Sequence, residues 1–142
     1  MPLQRYYFRA ILPPMENSRT LPTILVTGAS GQLGSELKVV AQNFPQFHWV
    51  YADRSLVDVT NAEQVMNAVT QLNPTYIFNC AAYTNVEKAE EDSAGCNLGN
   101  VAAPEFLAKA AEKIGAVLFH VSTDYVFDGK GNKPYSEGDS TN

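Results

Sequence analysis

Two short segments of this 142-residue chain carry residue types and spacings that could do chemistry. The first, residues 28–34, reads Gly-Ala-Ser-Gly-Gln-Leu-Gly, and the second, residues 122–129, reads Ser-Thr-Asp-Tyr-Val-Phe-Asp-Gly. A glycine-rich turn of the first kind can hold the diphosphate of a dinucleotide on backbone N–H groups. Hydroxyls such as those of the second can hydrogen-bond a substrate carbonyl and stabilise the alkoxide that hydride transfer produces.

The three glycines of the first segment each have a physical role if a dinucleotide binds there. Gly28 permits the tight turn out of a strand, Gly31 lets the backbone approach the pyrophosphate, and Gly34 lets the next helix pack closely. The spacing is G-x-x-G-x-x-G, which differs from the usual G-x-G-x-x-G. The alternative is a strand–turn–helix unit whose glycines serve only the turn.

Charged residues after the second predicted strand are candidates for binding the adenosine half of the dinucleotide. Asp53 lies about 20 residues after Gly34, where an acid would hydrogen-bond the ribose. That acid favours NAD, but Arg54 beside it could pair with a 2′-phosphate, so the sequence does not decide between NADH and NADPH. Asp58, followed by Val59, could accept from the adenine amino group or cap a helix, and the two roles are compatible. The alternative for Asp53 and Arg54 is a solvated turn.

Small and hydroxyl residues follow the third and fourth predicted strands. Ala81 and Ala82 would let the ligand pass over the carboxyl end of the sheet, and Ser122 and Thr123 would face the crevice where a nicotinamide would lie. The alternatives are ordinary packing for the alanines and a polar strand end for the hydroxyls. Residues 84–90 mix charges ahead of a helix, which indicates either a solvated helix entrance or a substrate or subunit contact.

These segments need a sheet to position them, and the hydrophobic pattern predicts one. Short apolar runs predict strands over 23–27, 47–52, 76–79 and 116–121. Helical spacing predicts helices over 31–43 and 94–114, with a further helix between Thr60 as N-cap and Pro74. Because strands and helices alternate, the predicted fold class is α/β: a Rossmann-like doubly wound parallel sheet, incomplete, with about four strands and flanking helices.

The first 22 residues differ from the rest, since they hold four of the eight prolines and no periodic pattern. We predict an irregular N-terminal tail over 1–22 and a truncated NAD(P)-binding Rossmann-like domain over 23–142. Met15 is a candidate for the natural start, which would make residues 1–14 extra or disordered.

Composition narrows the class of protein. The net charge of −5 comes with no basic stripe, which argues against nucleic acid as a partner. No apolar run approaches the ~20 residues that span a bilayer. Cys80 and Cys96 form neither a metal-ligand pattern nor a disulfide framework, so a cytoplasmic location is expected.

Three motifs of the chain resemble those of one known family. They are residues 28–34, residues 79–90 (Asn-Cys-Ala-Ala-Tyr-Thr-x-Val-Glu-x-Ala-Glu) and residues 122–129. Together they resemble the dTDP-4-dehydrorhamnose reductases, which belong to the extended short-chain dehydrogenase/reductases. The resemblance covers residues 23–142. Its most specific motif is the last, because nucleotide-sugar epimerases usually carry a serine-rich version ending in Val-Tyr-Gly.

The resemblance implies reduction of the 4-keto group of dTDP-4-dehydro-L-rhamnose with NADPH or NADH, giving dTDP-L-rhamnose. This is nucleotide-sugar biosynthesis of the kind that supplies O-antigen and other cell-surface polysaccharides. Thr123 would be the hydroxyl member of a Ser/Thr–Tyr–Lys catalytic group, and Asp124 and Tyr125 would lie next to the substrate. The residues that would contact the cofactor are Gly31, Gln32, Leu33, Asp53, Asp58, Val59, Ala81, Ala82 and Tyr83. Asn97 matches an asparagine of the family's long helix, and Gly28, Gly34, Arg54 and Ser122 complete the predicted cofactor site. Some members form a homodimer through Mg²⁺, but no motif here identifies a metal site.

The chain departs from the family pattern in one respect that bears on catalysis. The family's proton donor is a tyrosine in Tyr-x-x-x-Lys, whereas Tyr125 is followed four residues later by Gly129 and Tyr135 by Asp139. The C-terminal substrate-binding part is also missing. We therefore expect the chain to resemble the N-terminal portion of a reductase and to be inactive alone.

Two other functions compete with this interpretation. The regulatory subunit of methionine adenosyltransferase resembles the same reductases and binds NADP, but it usually lacks the pattern that residues 83–90 preserve. The other alternative is a non-catalytic dinucleotide-binding module.

Overall fold

The computed structural model of the protein describes residues 21–141, and it contains one parallel four-stranded sheet. The strands are β1 (Thr23–Thr27), β2 (His48–Ala52), β3 (Tyr76–Asn79) and β4 (Val117–His120), in the spatial order β2-β1-β3-β4. The predicted strands are confirmed to within a residue or so at their ends. Residues 1–20, with the candidate start Met15, lie outside the described residues.

The helices connect the strands in the predicted alternating order. They are α1 (Gln32–Ala41), α2 (Ala62–Leu72), α3 (Val86–Glu91), α4 (Ser93–Asn97) and α5 (Ala103–Ile114). A π-helical turn, Leu98–Ala102, joins α4 to α5, and a 3-10 turn, Asp124–Val126, follows β4.

Helices cover both faces of the sheet, which confirms the doubly wound architecture. On one face, α2 and α5 bury Val65, Val69 and Leu107 against Leu25 and Ile77. On the other face, α1 packs on a cluster dominated by aromatic side chains: Phe44, Phe47, Trp49, Tyr51, Tyr76, Phe78 and Phe119. The residues of each strand alternate between the two cores, as expected for strands buried on both sides.

The N-terminal cap of α2 differs by one residue from the prediction. Asn61, not Thr60, is the N-cap, and its side-chain oxygen accepts from the backbone N–H groups of Glu63 and Gln64. The Thr60 hydroxyl is engaged elsewhere, since it donates to Asp58 at 2.6 Å. The helix ends as predicted before Pro74, with Asn73 in the left-handed conformation at φ 43°.

The long helix predicted over 94–114 is confirmed, but a π-helical turn within it separates α4 from α5. Pro104 lies in the first turn of α5 and has no N–H to donate to the carbonyl of Asn100. The loss of that bond accounts for a wider turn at this point. Gly115 ends α5 in the left-handed conformation, as predicted.

The buried stripe of α1 also differs from the apolar pattern in the sequence. Gly34 and Ala41 are buried and Leu37 is half-buried, whereas Leu33 and Val40 are each 42% exposed. Gly34 has no side chain and lies against Gly28 and Ala29 in the turn after β1, so Leu33 and Val40 lie on other sides of the helix.

Candidate functional site

The turn between β1 and α1 is built from glycines that no larger residue could replace without movement. Gly28 has φ 64°, and a Cβ on it would lie 2.5 Å from the backbone nitrogen of Ala81. A Cβ on Gly34 would lie 2.5 Å from the carbonyl oxygen of Gly28. At Gly31 the corresponding distance to the same oxygen is 3.3 Å. The turn is thus pressed against both the loop after β3 and the first turn of α1.

The N-terminus of α1 presents backbone donors for which residues 21–141 supply no backbone acceptor. The first bond within the helix runs from the Ser35 N–H to the Gly31 carbonyl, so Gln32, Leu33 and Gly34 have no helical acceptor for their N–H groups. The N-cap, Gly31, makes no side-chain cap bond, and the first turn contains no acidic residue. A glycine turn of this shape with free N–H groups and a positive dipole end fits a pyrophosphate.

A cleft of about 430 Å³ opens beside this turn, at the carboxyl ends of the strands. It brings together part of the predicted cofactor set, namely Gly28, Arg54, Asp58, Val59, Ala81, Ala82 and Tyr83. Its lining also includes residues outside the predicted cofactor set: Val57, Thr60, Lys88, Asp92, Gly95, Leu98 and Gly99. The other predicted residues are not in this lining: Gly31, Gln32, Leu33, Gly34, Asp53, Asn97, Ser122, Thr123, Asp124 and Tyr125.

Asp53 is engaged by its own turn rather than by the cleft. Its Oδ1 accepts from the Ser55 hydroxyl at 2.6 Å, from the Ser55 N–H at 2.9 Å and from the Leu56 N–H at 3.3 Å. These bonds, led by the Ser55 hydroxyl, hold the pKa of Asp53 below its ordinary value. The carboxylate therefore has one oxygen committed to shaping the turn that follows β2.

Asp58 and Arg54 form a charged pair on the wall of the cleft. Arg54 donates through Nε and Nη2 to Asp58 Oδ2, both at 3.4 Å, and its side chain is 83% exposed. Asp58 Oδ1 accepts from the Thr60 hydroxyl and N–H, and these two bonds, more than Arg54, lower the pKa of Asp58. Because the ion pair is long and exposed, the guanidinium keeps most of its donors available to a ligand.

Tyr83 is held in the cleft by Asn100, a residue that the sequence analysis missed. The Tyr83 N–H donates to Asn100 Oδ1 at 2.8 Å, and Asn100 Nδ2 donates to the Tyr83 carbonyl at 3.0 Å. Asn100 lies inside the π-helical turn, whereas the predicted Asn97 is the last residue of α4. The sequence feature that could have indicated Asn100 is its position four residues before Pro104. Because proline has no N–H, the carbonyl of Asn100 lacks its normal helical donor.

The phenol of Tyr83 is hydrogen-bonded to a carboxylate of the cleft. Partial desolvation and the Asp92 carboxylate, to which Tyr83 donates at 3.4 Å, raise its pKa above the ordinary value. Its position in the cleft lining is consistent with the predicted cofactor contact.

The hydroxyl segment after β4 is not part of the cleft lining. Ser122, Thr123, Asp124 and Tyr125 are exposed. The Thr123 hydroxyl donates to Asp124 Oδ1 at 3.1 Å and accepts from the Tyr125 N–H at 3.2 Å, so it caps the 3-10 turn. The catalytic and substrate-binding roles of these residues stay predictions.

The loop over residues 127–135 is held together by contacts between its two ends. The Phe127 and Tyr135 rings stack with centroids 4.4 Å apart, and the Tyr135 hydroxyl donates to Asp128 Oδ1 at 2.9 Å. The Lys130 N–H and then Tyr135 lower the pKa of Asp128 by hydrogen bonding to its charged form.

A hydrogen-bonded chain, buried at Thr27 and Asn79 and exposed at His120, connects three strand ends beneath the site. Strand register places Thr27, Asn79 and His120 in one row. Asn79 Oδ1 accepts from the Thr27 hydroxyl at 2.8 Å and from the Ala81 N–H at 3.1 Å. Since both donors face Oδ1, Asn79 Nδ2 points to His120 Nδ1 at 3.1 Å, which requires the ring proton on Nε2. Thr27 and Asn79 are the buried polar residues of the described core.

Neither a metal centre nor a membrane span is found among residues 21–141. That part of the chain has no group of three or more His, Cys, Asp or Glu side chains that could hold a metal ion. It also has no helix long and apolar enough to cross a bilayer.

Comparison with known proteins gives consistent matches over almost all of the described residues. The family model of the RmlD substrate binding domain matches residues 22–142. The chain is 41% identical over 120 residues to the dTDP-4-dehydrorhamnose reductase of Streptomyces griseus, a match that covers 84% of this chain and 39% of that protein.

Two solved structures show the same similarity in three dimensions. A dTDP-4-dehydrorhamnose reductase from Clostridium acetobutylicum matches with a TM-score of 0.82 and 38% identity, over 84% of this chain and 42% of that one. The enzyme of the same name from Bacillus anthracis, in complex with NADP, matches with a TM-score of 0.81 and 34% identity, over 88% of this chain and 44% of that one. The chain spans about 40% of the length of the curated relatives that it matches.

Proposed function

The chain belongs to the family of the RmlD substrate binding domain, and from that membership we propose that it is the dinucleotide-binding portion of an NADPH-dependent dTDP-4-dehydrorhamnose reductase. The observation that carries the proposal is the turn at Gly28, which joins the uncapped N-terminus of α1 to the cleft. A dinucleotide can place its pyrophosphate on the helix N-terminus and its adenosine in the cleft. In the proposed reaction the cofactor supplies the hydride, and Thr123 holds the sugar carbonyl.

The residues around the cleft would then have distinct tasks. Gly31, Gln32 and Leu33 would bind the pyrophosphate through their backbones, while Asp58 and Val59 would contact the adenine. Ala81, Ala82 and Tyr83 would form the opposite wall, kept in place by Asn79 and Asn100. Asn97 and Ser122 stay as predicted cofactor contacts. The homodimer and the cytoplasmic location also stay predictions.

The proposal separates binding from turnover, and the two can be measured independently. We expect the 142-residue chain to bind NADPH, seen as a change in nicotinamide fluorescence, but not to oxidise it in the presence of dTDP-4-dehydro-L-rhamnose, since Tyr-x-x-x-Lys is absent. A fusion of this chain to the remaining C-terminal portion of the Streptomyces griseus relative should turn the sugar over. Failure of the chain to bind NADPH would contradict the proposal, and binding without turnover by a folded fusion would leave only a dinucleotide-binding module.

The choice of NADPH rests on the contrast between Arg54 and Asp53. Arg54 lines the cleft and its side chain is exposed. Asp53 is outside the lining, and its Oδ1 accepts hydrogen bonds from Ser55 in its own turn. We expect Arg54→Gln to weaken NADPH binding about tenfold or more and to leave NADH binding nearly unchanged, because a charge-assisted bond to the 2′-phosphate is lost.

Asp53→Asn is the matched control for this experiment. An asparagine Oδ1 can still accept from Ser55 and Leu56, so the turn is preserved while the carboxylate is removed. Little change in either affinity would support a turn-shaping role for Asp53. A loss of NADH affinity would instead support the ribose contact that the sequence predicts, and an unchanged NADPH-to-NADH ratio in Arg54→Gln would refute the role of Arg54.

A further inference from the structure

Helix α3 presents one of its charged residues to the cleft and keeps the others away. It carries Glu87, Lys88, Glu90 and Glu91, yet only Lys88 is in the cleft lining. Lys88 is therefore the charged residue of α3 that borders the cleft, whereas Glu87, Glu90 and Glu91 lie outside the lining.

The ammonium group of Lys88 is not neutralised by its neighbours. Glu91 and Asp92 lie three and four residues further along, but no carboxylate of the described residues is within ion-pair distance of Lys88. By contrast, Lys109 on α5 does pair with Glu105, four residues before it. The spacing alone would allow the same pairing at Lys88.

The acid nearest in sequence within the cleft is already occupied. Asp92 Oδ1 accepts from the Gly95 N–H at 2.9 Å, and Oδ2 accepts from the Tyr83 hydroxyl at 3.4 Å. The other charges of the lining, Arg54 and Asp58, pair with each other. Lys88 is thus the cation of the described cleft whose charge has no partner.

The backbone at Lys88 is fixed on both sides. Its N–H donates to Asn85 Oδ1 at 2.9 Å, and its carbonyl accepts from the Asp92 N–H at 2.8 Å. A flexible side chain on a fixed backbone position makes a point charge that can adjust to a phosphate oxygen.

Building on the proposed function, we propose that Lys88 supplies positive charge to a phosphate group of the bound dinucleotide. The pyrophosphate and the adenosine 2′-phosphate share this chemistry. NADPH carries both and NADH carries only the first, so the two coenzymes identify which phosphate is contacted.

The test is titration of the whole 142-residue chain with NADPH and with NADH, followed by nicotinamide fluorescence. Lys88→Gln should weaken NADPH binding about five- to tenfold, and Lys88→Arg should restore most of the affinity. Lys109→Gln is the control, because it removes a cation of the same type outside the cleft. The difference between the wild type and Lys88→Gln should shrink at ionic strength of about 1 M, where the Debye length is about 3 Å.

The NADPH and NADH titrations distinguish between the two phosphates and between the two proposals. A loss confined to NADPH supports contact with the 2′-phosphate, and an equal loss for both coenzymes supports contact with the pyrophosphate. Unchanged affinities in a folded Lys88→Gln variant overturn the proposal while the proposed function stands. Absence of binding by the wild type overturns the proposed function itself. Because Lys88 and Lys109 are both exposed, and an exposed ion pair such as Lys109–Glu105 contributes little, the midpoint of urea unfolding should change little in all three variants.

Discussion

Replacing Gly28 with alanine should lower the free energy of unfolding by about 3 to 4 kcal/mol. Gly28 has φ 64°, and a Cβ there would lie 2.5 Å from the Ala81 nitrogen and 2.6 Å from the Cys80 carbonyl carbon. These are backbone atoms, so no side-chain rotation can relieve the overlap, and the β1–α1 turn must move away from the loop after β3. Equilibrium unfolding in urea measures the loss.

Gly115→Ala is the matched control for this prediction. Gly115 also has a positive φ, 72°, but a Cβ at this position would have no neighbouring atom within 4 Å. Only the left-handed backbone is then penalised, at about 1 kcal/mol. Equal losses in the two variants would show that the close approach at Gly28 contributes nothing.

The same substitution should also impair ligand binding, because Gly28 and Ala81 both line the cleft. Separating them changes the width of the crevice that the dinucleotide would enter. We expect the NADPH affinity of Gly28→Ala to fall at least about tenfold under conditions where the variant is folded, and that of Gly115→Ala to match the wild type.

Asn79→Ala should destabilise the chain by about 2 to 4 kcal/mol. The substitution leaves the fully buried Thr27 hydroxyl and the Ala81 N–H without their shared acceptor. An orphaned buried donor costs its full desolvation penalty, which exceeds the net value of the bond that it made. The midpoint of urea unfolding should shift accordingly, with an unchanged slope if unfolding stays two-state.

A double-mutant cycle with Thr27→Val tests this account by the sign of its effect. In the wild type, Thr27→Val removes one donor from Asn79 and should cost about 1 kcal/mol. In the Asn79→Ala background it removes the orphaned hydroxyl instead, so it should be neutral or stabilising. Additive losses in the cycle would mean that the stability of the site does not depend on this bond.

Features that depend on a few neighbouring residues could be predicted from the sequence. The β-branched run before Gly28 specifies a buried strand, the residue before Pro74 resists helical dihedrals, and Gly115 suits a left-handed helix end. The glycine spacing also predicted the tight turn out of β1, where Gly28 has φ 64°, since that conformation is set within the turn itself. Even here the cap of α2 was misplaced by one residue, because Thr60 and Asn61 are both good caps and only the Asp58 contact of Thr60 decides between them.

Features that depend on residues far apart in the chain required the folded arrangement. Thr27, Asn79 and His120 meet because the parallel strands align in a register that no local period specifies. Asn100, rather than Asn97, holds Tyr83 because Asn100 lies in the π-helical turn. Lys88 is the one of the four charged residues of α3 that lines the cleft because of how that helix lies against it. The residues in order were enough to predict the fold class and the position of the glycine-rich turn, because strand, turn and helix preferences act over short distances. The family followed from the three motifs that the chain shares with it. Which side chains share the cleft was decided by packing, because that depends on contacts between segments separated by whole crossovers.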